Sequence, residues 1–278
     1  MDKPSSESDA VVTHPTARVA EGAPVGSGTS IGPGVIIEEN VVIGRDCRLA
    51  AYAVLRAGTV LGNRVGVDSF SVIGGPPQDL HFDRSLVSGV RIGDGTVIRE
   101  SVTISRSTLE NGYTEIGREC LFMACSHAAH DCRIGDQVVL ANGVMLAGHV
   151  QVGAHTFFGG GAAIHQFCRI GESVMIGGHG SISADIPPFL MVADRNDAFG
   201  LNLVGLRRRG FTRGAIRDLK LAYRFVYEGG RPTDRARLAL EQGRFESDEA
   251  RRFLTFFLSG TRGFARPRRR KHDMRDNV

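Results

Sequence analysis

Four histidines carry the chemistry this sequence could perform. His127 and His130 lie in Ser126-His127-Ala128-Ala129-His130-Asp131-Cys132, His149 follows Gly148, and His165 opens His165-Gln166-Phe167-Cys168. A neutral imidazole serves as a metal ligand or as a general base. His130 plus 18 positions is Gly148, beside His149, and plus 36 is Gln166, beside His165. A framework repeating every 18 residues would stack these three into a column, with His127 just before His130. Asp131 directly follows His130, and successive strand residues point to opposite faces, so the two can pair only if the chain bends between them. The segment offers no obvious carboxylate set to support a metal, which favours base catalysis and predicts no metal.

Such a framework is written in the sequence. From Val19, every sixth residue to Ile73 is aliphatic. A second register runs from Ile92 to Ile182, broken only at Glu110 in the turn-like Ser107-Thr108-Leu109-Glu110-Asn111-Gly112. Helices repeat near 3.6 and half-buried strands at 2, whereas a period of six marks the parallel β-helix of hexapeptide repeats. Each hexad then supplies a short strand and a corner. Three make one coil of 18 residues, with the aliphatic inside and the small residue after it, often Gly, relieving an unusual φ. The registers differ by one residue, so a loop is expected at about 74–91, and a second at 105–114.

The repeat ends at Asp185-Ile186-Pro187-Pro188, after which the pattern becomes helical. Thr212 is expected to cap a helix carrying Ile216, Leu219, Ala222 and Val226, Thr233-Asp234 to open a second, and Ser247 a third. The domain reading is a disordered tail at 1–11, a β-helix at 12–186, a helical domain at 187–264 and a basic disordered tail at 265–278. The 278 residues include 36 Gly and 10 Pro, with 42% hydrophobic and 23% charged, which excludes a disordered chain and collagen. No apolar run approaches the ~20 residues of a membrane span. The polar, acidic start carries no signal-peptide pattern, so the chain reads as cytoplasmic. Five scattered Cys read as reduced core fillers. Residues 187–278 carry a net +10 and residues 1–186 a net −6, so the basic half should favour an acidic partner over nucleic acid.

Several motifs resemble the acyl-ACP:UDP-N-acetylglucosamine O-acyltransferase family, which opens lipid A synthesis. They are Ser126-His127-Ala128-Ala129-His130-Asp131-Cys132, His14-Pro15-Thr16-Ala17, Gln78-Asp79-Leu80, Leu146-Ala147-Gly148-His149-Val150, His165-Gln166-Phe167-Cys168, Gly205-Leu206-Arg207-Arg208-Arg209-Gly210-Phe211 and Ser259-Gly260-Thr261-Arg262-Gly263. The resemblance spans about residues 12–264. It implies a mainly β fold, a left-handed parallel β-helix with a small α-helical C-terminal domain. It also implies a homotrimer with active sites between subunits and no cofactor. By the family pattern His130 is the general base toward the sugar 3-hydroxyl, Asp131 its support, and the Gly148 N–H the oxyanion donor. Asp79, His81, His127, His149, His165, Gln166 and Asn202 fall at substrate-binding positions. Arg208 and Arg209 fall where phosphate or acyl carrier protein would bind. The chain departs from the pattern at His81, where the family has Lys, and a neutral imidazole is not an ammonium. Gly178 occupies the position that limits the acyl pocket, and Gly there admits a longer 3-hydroxyacyl chain than Met would.

Three other readings compete. A related hexapeptide transferase would acylate an amino group on a UDP-amino sugar. A hexapeptide hydratase would hold a metal on the histidine column. A non-catalytic scaffold would use the β-helix as a spacer.

Overall fold

The computed structural model describes residues 10–268 and shows a left-handed parallel β-helix followed by four short helices. Each hexad forms a strand of two or more residues whose last or near-last aliphatic faces inward. Ile37, Ile43, Leu49 and Leu55 are all buried in this way. Successive strands fall on three faces in turn: Arg48–Leu49 on face A, Val54–Leu55 on face B, Thr59–Leu61 on face C. In the uninterrupted coils each residue pairs with the one 18 further on, as His127 does with Met145.

The corners differ from the expectation in their chemistry. Of the glycines that follow the inward aliphatic, most do not have positive φ. They are small because coils touch there: a Cβ on Gly44 would overlap the Gly62 carbonyl, and one on Gly153 would overlap the Glu172 backbone nitrogen. The left-handed backbone sits elsewhere in the corner, again every sixth residue, as in Asn40, Asp46, Tyr52, Gly58, Arg64 and Phe70. Side chains other than Gly take this conformation at a cost, so the repeat tolerates strain at one corner position and forbids bulk at another. The first demand recurs at period six, whereas the second falls once per coil, after each face-C strand, as at Gly44, Gly62, Gly135 and Gly153.

Both expected loops leave from the edge between faces B and C. Val72 pairs with Thr103, 31 positions on instead of 18, because residues 76–88 are inserted after the strand Val72–Gly75. Thr103 pairs with His127, 24 positions on, because a second insertion precedes the strand Tyr113–Ile116. His130 and Asp131 occupy that same edge on the next coil. The insertions therefore project beside the histidines.

The β-helix continues past the expected stop. Ile186 bridges Ile170 on face C, and Leu190–Ala193 pairs with Met175–Ile176 on face A before turning into the antiparallel strand Asp197–Leu201. Pro187-Pro188 marks only the last corner. Helix α1 (Leu203–Arg208), which the apolar pattern did not announce, is capped by Asn202. Helix α2 (Arg213–Tyr227) is capped by Thr212 and α4 (Asp248–Phe256) by Ser247, and α3 (Pro232–Glu241) begins with Pro at its first turn. Ile216, Leu219, Ala222 and Val226 bury one face of α2, and Phe253 and Leu254 that of α4. Arg266–Pro267, expected within a disordered tail, is a strand parallel to Asp197–Ala198, because its backbone finds an open sheet edge. The rest of the expected tails, residues 1–9 and 269–278, lies outside the described residues. Four Cys are buried, with burial pushing the Cys132 thiol up to about 12, whereas Cys125 is exposed on a corner and is not a core filler.

Candidate active site

Asp131 has φ of 60°, so the chain does bend after His130 and the two neighbouring side chains meet. His130 Nδ1 lies 2.8 Å from Asp131 Oδ2. The carboxylate can only accept, so Nδ1 carries the proton and Nε2 keeps the lone pair that a base needs. Asp131 is in turn held by the second inserted loop. The Ser107 hydroxyl donates to Oδ1, the Thr108 hydroxyl donates to Oδ2 at 2.6 Å, and the Thr108 N–H lies 3.2 Å from Oδ2. Asp131 is only 6% exposed. Burial pushes its carboxyl up, but the hydrogen bonds from His130, Ser107 and Thr108 outweigh this and hold it well below the usual Asp range.

A group depressed in this way stabilises the fold above its unfolded value, about 3.9, and that contribution is lost as pH falls through the lower folded value. Thr108→Val keeps the shape and removes one donor. We expect acid unfolding, followed by circular dichroism, to begin at a higher pH in this variant. An unchanged acid midpoint would mean the hydroxyl does not hold the carboxylate.

Gly148 lies directly against the imidazole. A Cβ there would fall 2.5 Å from His130 Cε1 and 2.6 Å from Nε2. Its N–H donates to no acceptor among the described residues, which leaves a free donor beside the base. The register puts His130, Gly148 and Gln166 at one corner position and Asp131, His149 and Phe167 at the next, with His165 one residue to the other side. The expected column of three imidazoles is therefore a pair. His149 meets His130 edge-on at 5.0 Å and reaches to 3.6 Å from Asp131 Oδ2, and its far face stacks on Phe167 at 4.6 Å. His165 instead accepts from Arg262. Burial holds the His149 ring below the ordinary imidazole range, partly offset by Asp131. Burial also lowers His127, whose Nδ1 lies 2.7 Å from the Thr103 hydroxyl on face B.

The other sequence candidates are not gathered here within one chain. Asp79 and His81 stand in the exposed first loop, where Asp79 Oδ1 accepts the His81 N–H at 2.9 Å. That loop is tied to the second one, since Arg106 donates to the Arg84 and Leu86 carbonyls and stacks on Phe82. Asn202 accepts from Gly205 N and donates to the Ser173 carbonyl, both at 3.1 Å, so its side chain is engaged in capping α1. Arg208 is exposed. Arg209 is half-buried against Phe211, with two guanidinium nitrogens lacking a partner among the described residues, and burial lowers its pKa. Gly178 stands on the edge between faces A and B, and a Cβ there would come no closer than 3.4 Å to any atom.

His130, Asp131 and His149 also bring ligand atoms within 4.8 Å of one another, close enough to hold a cation. Their chemistry fits a base better. The Asp131 oxygens are already taken by Ser107, Thr108 and His130, and a metal on Oδ2 would have to displace the Nδ1 proton of His130.

Ser107, Thr108, Phe167 and Arg262 are the site neighbours that sequence reading missed. The signal for Ser107 and Thr108 is Glu110, the break in the second register that marks their insertion, whereas Phe167 and Arg262 stand inside the motifs His165–Cys168 and Ser259–Gly263.

Known proteins resemble the chain along nearly its whole length. A profile described as UDP N-acetylglucosamine O-acyltransferase, domain 2, matches residues 185–265, and a bacterial transferase hexapeptide profile matches residues 22–57. The UDP-N-acetylglucosamine acyltransferase of Campylobacter jejuni is 34% identical with a TM-score of 0.87, over 93% of this chain and 100% of its own. LpxA of Bacteroides fragilis, described as a UDP-N-acetylglucosamine acyltransferase, is 36% identical at 0.87, over 92% and 100%. LpxA of Acinetobacter baumannii is 34% identical at 0.86, over 92% and 100%.

Proposed function

The chain belongs to the UDP-N-acetylglucosamine acyltransferase family and is an acyltransferase, and from that premise we propose that it moves a (R)-3-hydroxyacyl chain from acyl carrier protein to the 3-hydroxyl of UDP-N-acetylglucosamine, the first step of lipid A synthesis. The observation that carries this reading is the His130–Asp131 pair, held by Ser107 and Thr108 with Gly148 against the imidazole. His130 Nε2 takes the proton of the sugar hydroxyl as its oxygen attacks the thioester carbonyl. Asp131 stabilises the imidazolium that forms. The free Gly148 N–H donates to the developing oxyanion, where fixed donors act most strongly. The tetrahedral intermediate then expels the carrier thiolate, which takes the proton back from His130. The remaining candidates, Asp79, His81, His127, His149, His165, Gln166, Asn202, Arg208 and Arg209, bind the nucleotide sugar, support the pair or meet the acidic carrier.

An exposed apolar face favours self-association. The outward residues of face A include Val97, Leu121, Val139, Phe157 and Met175, whereas those of face C include Arg91, Glu115, Arg133 and Arg169. Faces A and B meet at an edge where Tyr52 and Phe70 stack at 5.5 Å while more than half exposed. Apolar surface of this kind marks an interface. A homotrimer packed on these faces would bring the first loop of one copy, with Asp79 and His81, to the site of another. No described helix is long and apolar enough to cross a membrane, and the enzyme acts in the cytoplasm.

The acceptor decides between an oxygen and a nitrogen acyltransferase. Incubation with UDP-N-acetylglucosamine is expected to give an ester that mild alkali cleaves. Turnover only with a UDP-3-amino sugar, giving an alkali-stable amide, would establish the alternative. Full activity after exhaustive chelation is also expected. A tightly held ion required for turnover would put a metal into the acyl-transfer step and displace His130 as a simple base.

Gly178 tests the acyl pocket. It precedes Ser181–Ile182, three rungs along face B from His127–Ala128, so it lies roughly 14 Å further along the axis at the ordinary strand spacing. A donor series is expected to favour C14 over C10. Gly178→Met should shift the preference to the shorter chain, and a preference for C10 in the unaltered enzyme would remove Gly178 from this role.

A further inference from the structure

Arg262 reaches from the C-terminal segment onto the coil that carries His165 and Gln166. Its Nη2 lies 2.6 Å from His165 Nδ1, and its Nε and Nη2 donate to the Gln166 carbonyl at 3.1 and 2.7 Å. His165 Nδ1 also lies 3.2 Å from that carbonyl, a contact that would need a proton on Nδ1. The two contacts are exclusive. A guanidinium only donates, so beside Arg262 the Nδ1 must accept and the ring proton sits on Nε2.

The segment bearing Arg262 is itself fixed. Arg169 pairs with buried Asp185 at 2.8 Å and donates to the Ser259 hydroxyl at 2.7 Å, and the Asp185 N–H donates to the Gly263 carbonyl at 2.9 Å. Gly260, between these anchors, has φ of 100° and lies so close to Asp185 that a Cβ would overlap its carboxylate. The backbone on both sides of Arg262 is thus set before its side chain is placed.

We propose that Arg262 is a positioning residue: it locks His165 as the Nε2–H tautomer and so presents a fixed donor to an oxygen-rich ligand such as the phosphate or carbonyl groups of a nucleotide sugar. The donor acts in ground-state binding, so its loss raises KM more than it lowers kcat. The consequence for KM rests on the acyltransferase reading, whereas the tautomer does not.

The test compares the intact enzyme with Arg262→Gln and Arg262→Lys. Imidazole nitrogen shifts are read by long-range proton–nitrogen NMR, with the His165 signals assigned by their loss in His165→Asn. Native His165 is expected as the Nε2–H form. In Arg262→Gln the freed Gln166 carbonyl draws the proton to Nδ1, and KM for UDP-N-acetylglucosamine rises about tenfold, the scale of one hydrogen bond to a charged group, with kcat changed far less. Arg262→Lys, which still donates, restores the Nε2–H form and most of the lost affinity. An Nδ1–H native ring, or nitrogen shifts indifferent to Arg262→Gln, overturns the proposal whatever the acceptor proves to be. A tautomer shift with unchanged KM overturns the role assigned to the donor. A raised KM without the tautomer shift makes Arg262 a direct contact and overturns it as well.

Discussion

His130→Ala is expected to lower kcat by about 10²–10⁴-fold, the range that a positioned general base contributes. The side chain is 18% exposed and sits at a corner, outside the packed interior, so its removal opens no core cavity. The fold should survive, and circular dichroism and thermal unfolding should be close to those of the unaltered protein. KM for the nucleotide sugar should move much less than kcat, because the base acts on the proton in flight. Gly148 keeps its N–H in this variant, so residual turnover above the uncatalysed rate is expected from the oxyanion donor and substrate positioning. A variant as active as the parent would remove His130 from the mechanism.

Asp131→Asn should cost nearly as much. The carboxylate does two things that an amide cannot do together. It accepts from His130 Nδ1 and from the hydroxyls of Ser107 and Thr108 at once, and it supplies the charge opposite the imidazolium. An amide turned toward His130 with its oxygen leaves its NH2 facing the Ser107 hydroxyl and the Thr108 N–H, and turned the other way it forces the lone pair onto Nδ1 and the proton onto Nε2. Either arrangement weakens the base, and a wrong tautomer in a comparable dyad costs about 10⁴ in kcat. The expected result is a loss of about 10²–10⁴-fold in kcat. Imidazole NMR should show whether His130 has changed tautomer. Full activity in a folded Asp131→Asn protein would mean that the pair is structural.

Much of the coil and of the site is legible in the order of the residues, for a physical reason. A β-helix rewrites the same steric demand every six residues, so the inward aliphatics from Val19 onward declare the coil, and dividing by 18 brings His130 beside Gly148. The arithmetic fails where the period is interrupted. Ser107 and Thr108 belong to an insertion, and no count of hexads shows that it leaves from the same edge as Asp131. The column of three histidines fails by a single residue, since one step around a corner turns His165 toward Arg262 and puts Phe167 on His149. The corner glycines suggest relief of an unusual φ, but the positive φ falls on residues as varied as Tyr52, Arg64 and His149, and the glycines answer to contact between coils. Helix α1 has six residues, the last three being Leu206, Arg207 and Arg208, too few for an apolar period to register. The strand at Arg266–Pro267 exists because Asp197–Leu201 offers an edge, a tertiary fact invisible in a basic run.

As proposed, His130 removes the proton of the sugar 3-hydroxyl as that oxygen attacks the thioester. The most direct measurement is release of the carrier thiol from 3-hydroxyacyl carrier protein, with UDP-N-acetylglucosamine and with its 3-deoxy analogue at saturating concentration. Steady thiol release is expected with the first and none above background with the second. Equal release with both would mean that the attacking oxygen is not that of the sugar 3-hydroxyl, and would remove that hydroxyl as the acceptor.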